Sequence, residues 1–187
     1  MEKFRSQLGA LLFIWITSVS CEGVENATSL DETVFNDVLY QALDSLNEKH
    51  NLDEKVIVFF NRHPDKVKTT VVANTVKEIE GDSSIQALLI RKLNENIDNP
   101  LENLDITVQN ASYDLIINQK QVNEIIKNNK SNVAINLSRV ALNNEMDRGV
   151  FYLGLQCGAN CSAGYLVFTK MNQSRWDIAA IVPRWHS

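Results

Sequence analysis

The chain has 187 residues, 44% of them hydrophobic and 22% charged, with a formal net charge of −5 at pH 7. That length and apolar content suit one domain large enough to bury its own core. The mild acidity argues against nucleic acid as a partner, because phosphate binding wants clustered Lys and Arg.

The first residues, MEKFRSQLGALLFIWITSVS, have the three parts of a secretion signal: basic Lys3 and Arg5, an apolar or small run from Leu8 to Ile16, and small residues from Thr17 to Ser20. An apolar run of about ten is too short to span roughly 30 Å of hydrocarbon as a helix. Residues 1–20 are therefore read as a signal peptide and the protein as exported. They hold Glu2, Lys3 and Arg5, a net +1, so their removal takes the formal −5 to −6 and leaves 167 residues. Small residues directly before Cys21 resemble the bacterial lipobox, in which that cysteine is lipidated and becomes the first mature residue. Ser18 stands where the lipobox has Leu, and ordinary signal-peptidase cleavage suits Ser18 and Ser20 equally. The resemblance implies an acyl anchor of palmitate type on Cys21, each buried methylene adding roughly 0.8 kcal/mol of membrane affinity.

Residues 21–29, small, polar and acidic, have the composition of a flexible tether. Ser29 and Glu32 then stand in capping-box register. Val34, Phe35, Val38, Leu39, Ala42, Leu43 and Leu46 follow on a single helical face that stops near EKHNLDEK. The run KVIVFF, residues 55–60, predicts a short strand buried on both faces. Residues 64–80 have helical apolar spacing but many β-branched side chains, and are read as helix. Ser83 with Gln86 opens a further amphipathic helix through Ile85, Leu88, Leu89, Leu93 and Ile97, ending before Pro100.

Beyond Pro100 the period changes. DITVQNASYDLIINQ holds two short strand-like runs, and VAINLSRVALN alternates through Val133, Ile135 and Leu137 before its register blurs. NNEMDRG reads as a turn. VFYLGLQC, GYLVFTKM and RWDIAAIV are three further strands, and their short connections predict antiparallel neighbours. Amphipathic helices with a buried strand, followed by an antiparallel meander of about four or five strands, make an α+β fold, with residues 30–187 as its single domain.

The chemistry centres on Cys157 and Cys161. A zinc site needs about four ligands, and His50, His63 and His186 are scattered. A thioredoxin-type pair has two intervening residues and a helix N-terminus beside it; here three residues intervene between strands. The remaining reading is a structural disulfide across a hairpin mouth, with Gly158 and Gly164 supplying unusual backbone angles. The cysteine count agrees: Cys21, Cys157 and Cys161 are the only three, and lipid on Cys21 leaves two to pair.

The run from Ser138 to Trp176 resembles the C-terminal segment of envelope proteins of Bacteroidetes-type bacteria, a group whose activity is unknown. Ser138, Arg139, Val140, Cys157, Gly158, Cys161, Gly164, Lys170 and Trp176 carry the likeness over about forty residues, with Ser162 where glycine is frequent. It implies a fold element and a compartment, and no activity.

Other positions offer less. FFNRHPD places His63 and Asp65 just past a buried strand, an acid–base pair for a hydrolase with no nucleophile marked by sequence. Arg139 is expected to face solvent, and Trp176 and Trp185 to serve core and rim packing. N-x-S/T sequons, Asn26, Asn110, Asn136, Asn160 and Asn172 among them, arise easily in a chain this rich in Asn. No glycine-rich phosphate loop, HExxH or GxSxG occurs, and no cofactor, metal or catalytic residue is assigned. The expectation is an exported envelope lipoprotein, non-enzymatic, with a structural or binding role. Its partners would be the membrane, through Cys21, and a protein or small molecule of unspecified kind; the alternatives are the His63 hydrolase and a small-ligand binding module.

Overall fold

The apolar stripe from Val34 to Leu46 folds into a long helix, α1 (Glu22–His50), laid across a mixed β-sheet. The computed structural model describes residues 22–50, 52, 55–60, 83–96, 104, 106, 113–116, 133–157 and 161–186. The helix expected over 64–80 lies outside these. In chain order the remaining elements are β1 (Lys55–Phe60), α2 (Ser83–Glu95), β2 (Asp114–Ile116), β3 (Val133–Leu137), β4 (Ala141–Leu142), β5 (Arg148–Cys157), β6 (Ser162–Asn172) and β7 (Arg175–His186). Helix α1 begins at Glu22 rather than at Ser29, so the backbone of most of the expected tether, 21–29, is helical. At the other end, Asn47 Oδ1 accepts a hydrogen bond from Leu52 N (2.7 Å), tying the chain that leaves the helix back to its last turn.

The sheet runs β2-β1-β3-β5-β6-β7, with β4 also paired to β5. Strands β3, β5, β6 and β7 are antiparallel neighbours, as the short connections predict. The early strand β1 does not stand apart from them: it inserts parallel between β2 and β3, which suits its continuous apolar run. Helix α1 covers one face through Phe35, Leu39 and Leu43, against Phe151, Leu153 and Val167. Leu89, Ile90 and Leu93 of α2 pack on the other, against Val150, Leu166 and Phe168. Each such side chain contributes roughly 1.5–3 kcal/mol by leaving water. Two-sided cover explains why β6 is buried without a break from Ala163 to Thr169. Among the described residues no helix is long and apolar enough to cross a membrane.

The blurred register after Leu137 has a structural cause. Leu137 pairs with Leu153 and Ala141 with Val150, so four steps on one strand face three on the other. The extra residue is a β-bulge, and it releases the Val140 N–H from the ladder. Asp31 of α1 takes that proton donor (Oδ1 to Val140 N, 2.7 Å) and pairs with Arg139 Nε (3.3 Å). The sequence expectation that Arg139 faces solvent is therefore corrected: its side chain, 16% exposed, is partly buried against a carboxylate only 5% exposed. Asp37 does the same for the start of β7, accepting from Trp176 N (2.8 Å).

Turns and edges are equally specific. Asn172 pairs with Arg175, leaving a two-residue turn in which Gln173 (φ 48°) and Ser174 (φ 68°) are both left-handed. That is the type I′ hairpin geometry, usually filled by Asn-Gly. Edge strand β7 skips pairing at Ala179 and Arg184, where its register against β6 shifts, and carries Pro183 between.

Two predictions follow from these observations. Ser174→Gly relieves a left-handed L-residue, which costs about 1–2 kcal/mol, at the expense of some unfolded-state entropy; a net gain of about 0.5–1 kcal/mol is expected in urea unfolding. Burial raises the Asp31 pKa from 3.8 to about 6, outweighing the lowering by the Val140 N–H and by Arg139. A carboxyl whose folded pKa is raised contributes stability below the unfolded value that is lost as pH rises through the folded one. Relative to Asp31→Asn, the wild type should therefore lose about 3 kcal/mol between pH 4 and pH 7; parallel pH profiles for the two proteins would refute the assignment.

Candidate functional site

The helical stripe that packs α1 on the sheet does not end at Leu46. His50 is four residues on, seven after Leu43, and continues the same face. There its imidazole meets two side chains at the start of β6. Nε2 contacts Tyr165 Oη (2.5 Å), the rings standing nearly edge-on at 6.0 Å between centroids. Nδ1 lies 3.8 Å from Cys161 Sγ. Burial, with a smaller contribution from Lys49, lowers the His50 pKa, favouring the neutral ring. Burial raises the Tyr165 pKa, so the phenol keeps its proton. The protonated phenol and the neutral imidazole share one hydrogen bond, and the other ring nitrogen faces the cysteine sulfur.

Cys161 stands one residue before β6, and Cys157 is the last residue of β5. The β5–β6 ladder closes on Gln156 opposite Ser162, so the next positions in register are 157 and 161. Residues directly opposite on antiparallel strands have Cα atoms about 4.5–5.5 Å apart, inside the range a disulfide needs. By alternation Cys161 belongs to the face that α1 covers, with Ala163.

Gly164 does not have the role expected of it. It sits inside β6 and its backbone is not left-handed; what demands glycine is the approach of two aromatic rings. A Cβ there would lie 2.3 Å from Trp185 Nε1 and 2.7 Å from Tyr152 Oη. Gly154, Gly164 and Trp185 form one row across β5, β6 and β7, so Trp185, 43% exposed, folds over glycines at the rim while Trp176 is buried in the core. Both tryptophans thus have the packing roles expected of them. At the opposite end of the β5–β6 ladder a shallow open hollow is lined by Arg148, Lys170, Met171 and Asn172.

Cys21, His63 and Asp65 lie outside the described residues, as does Gly158. Among the described residues no three of His, Cys, Asp and Glu gather closely enough to hold a metal ion. What the sequence reading missed is His50 with Tyr165, and Asp31. The signal was present in both cases: each is a polar residue at a stripe position of α1, where solvent-facing polarity is not expected. Compared with protein-family models, curated proteins and solved structures, the chain matches none.

Proposed function

We propose that this chain is an exported envelope protein, held at a bacterial membrane by lipid on Cys21, whose single α+β domain (residues 30–187) has a structural or binding role outside the reducing cytoplasm. The observation that supports this reading is that the β5–β6 ladder ends with Gln156 opposite Ser162, one residue inside Cys157 and Cys161, so that a disulfide between the two would close the hairpin mouth. Such a bond persists in oxidising compartments and is rare where thioredoxin and glutathione keep thiols reduced. The secretion-type start and the small residues before Cys21 agree with the same compartment. The Cys157–Cys161 bond closes a loop too short to constrain the unfolded chain much, so it holds the hairpin mouth locally and adds at most about 2 kcal/mol.

Two measurements test the reading. Cells expressing the full chain and fed an alkyne palmitate analogue should label the protein, and Cys21→Ala should abolish the label; label that survives the substitution sinks the anchor. Protein purified without reductant and alkylated under denaturing conditions should expose no free thiol at Cys157 or Cys161, and two after reduction. Two free thiols before reduction would remove the oxidised hairpin and with it the compartment argument.

A further inference from the structure

We propose that the hollow lined by Arg148, Lys170, Met171 and Asn172 binds a small phosphate-type oxyanion, held by the Arg148 guanidinium and the Lys170 ammonium. This goes beyond the structural or binding role above, and it depends neither on the lipid anchor nor on the cysteine pairing.

The ladder sets the two cations side by side. Arg148 and Lys170 are direct partners across β5 and β6. Just beyond them Met171 N donates to the Asp147 carbonyl (2.8 Å), while the Arg148 N–H and carbonyl both turn away to Asn143 (Oδ1 and N, each 3.0 Å). The two are therefore a non-hydrogen-bonded pair, the kind whose side chains approach closest. Like charges in that relation cost stability. Carboxylates stand next to the pair, and each is held elsewhere. Buried Asn143 donates from Nδ2 to Glu145 Oε2 (2.9 Å) and to Asp147 Oδ1 (2.7 Å). Asp177, directly opposite Lys170 on β7, accepts from Asn172 Nδ2 (3.2 Å). Among the described residues neither Arg148 nor Lys170 enters an ion pair. Both are only partly exposed, so solvent and salt screen them less than free surface charges.

Size and charge select the ligand. The hollow holds about 290 Å³, several times the roughly 30 Å³ share of one water and below the roughly 300–1,000 Å³ of sites that enclose drug-sized molecules. It is open and shallow, so it takes a compact terminal group rather than a whole buried molecule. A phosphate monoester carries about −1.5 to −2 charges at neutral pH, enough to offset both cations, where a carboxylate offsets one. Its three free oxygens let the planar guanidinium take two in a fork and the ammonium take the third. A soluble phosphate ester and the headgroup of a phosphatidate-type lipid both present that group.

The test uses the mature chain in a Cys21→Ala background, with inorganic phosphate as the probe and sodium chloride of equal ionic strength as the control. Two to three charge-assisted hydrogen bonds correspond to a Kd of about 1 mM, within reach of amide shift mapping by NMR. Phosphate should shift the amides of Arg148, Lys170 and Asn172 saturably. Arg148→Gln and Lys170→Gln should each weaken binding by about tenfold or more, and Arg91→Gln, which removes an exposed cation of α2, should leave it unchanged. Glycerol phosphate, and phosphatidylcholine vesicles with and without phosphatidic acid, separate the sources. Binding of the soluble ester alone assigns a soluble ligand; binding to phosphatidic acid vesicles that Lys170→Gln abolishes assigns a headgroup. Shifts that chloride reproduces, that scatter over other surface cations, or that persist in both variants mean an adventitious ion only and overturn the proposal. If a variant fails to fold, the shift map of the wild type still decides.

Discussion

A backbone N–H that leaves a β-ladder inside a protein must find an acceptor, and much of this molecule is organised around one such case. The bulge between Ser138 and Ala141 frees the Val140 N–H, and the acceptor comes from a helix more than a hundred residues earlier. Asp31 could have been replaced by water only if the seam were wet, and at 5% exposure it is not. One carboxylate thereby fixes both the axial position of α1 and its rotation over the sheet. Asp37 repeats the device on Trp176 N, while Tyr40, donating to the Tyr113 carbonyl, and His50, meeting the Tyr165 hydroxyl, add further polar contacts along the helix. Apolar burial holds α1 on the sheet, but burial is indifferent to small slides; these four polar contacts select one position.

That division explains what was legible in the sequence. The Val34–Leu46 stripe, the KVIVFF strand and the three C-terminal strands are strong periodic or continuous patterns, and each appears where the pattern puts it. Period-2 alternation cannot register a bulge, because one inserted residue hides as a phase change; hence VAINLSRVALN blurred at the very point where Arg139 and Val140 turn toward Asp31. The parallel insertion of β1 was equally invisible, since strand order is a matter of contacts between residues 56–60 and 133–137, far apart in the chain.

The candidate site was half legible. The cysteines announce themselves by type and spacing. The histidine beside them required a different inference, that a polar residue continuing an apolar stripe is held there by a partner. From spacing alone a helix N-terminus was the only neighbour considered for the pair; folding supplies an imidazole at the C-terminal end of a helix instead. Glycine was misread for a related reason. At Gly164 its value is the absent Cβ that lets Trp185 lie flat, a requirement set by two residues on other strands.

The far edge of the sheet has a consequence of its own. Among the described strands β7 is the last, twelve residues long, and a strand of that length with evenly spaced donors and acceptors is a template for another copy. Here Ala179 and Arg184 fall out of step and Pro183 contributes no donor, so no run of more than a few residues keeps a regular comb of hydrogen-bonding groups. Molecules crowded together in two dimensions meet edge to edge far more often than in dilute solution. The broken comb lets this domain be packed densely without zipping into ribbons.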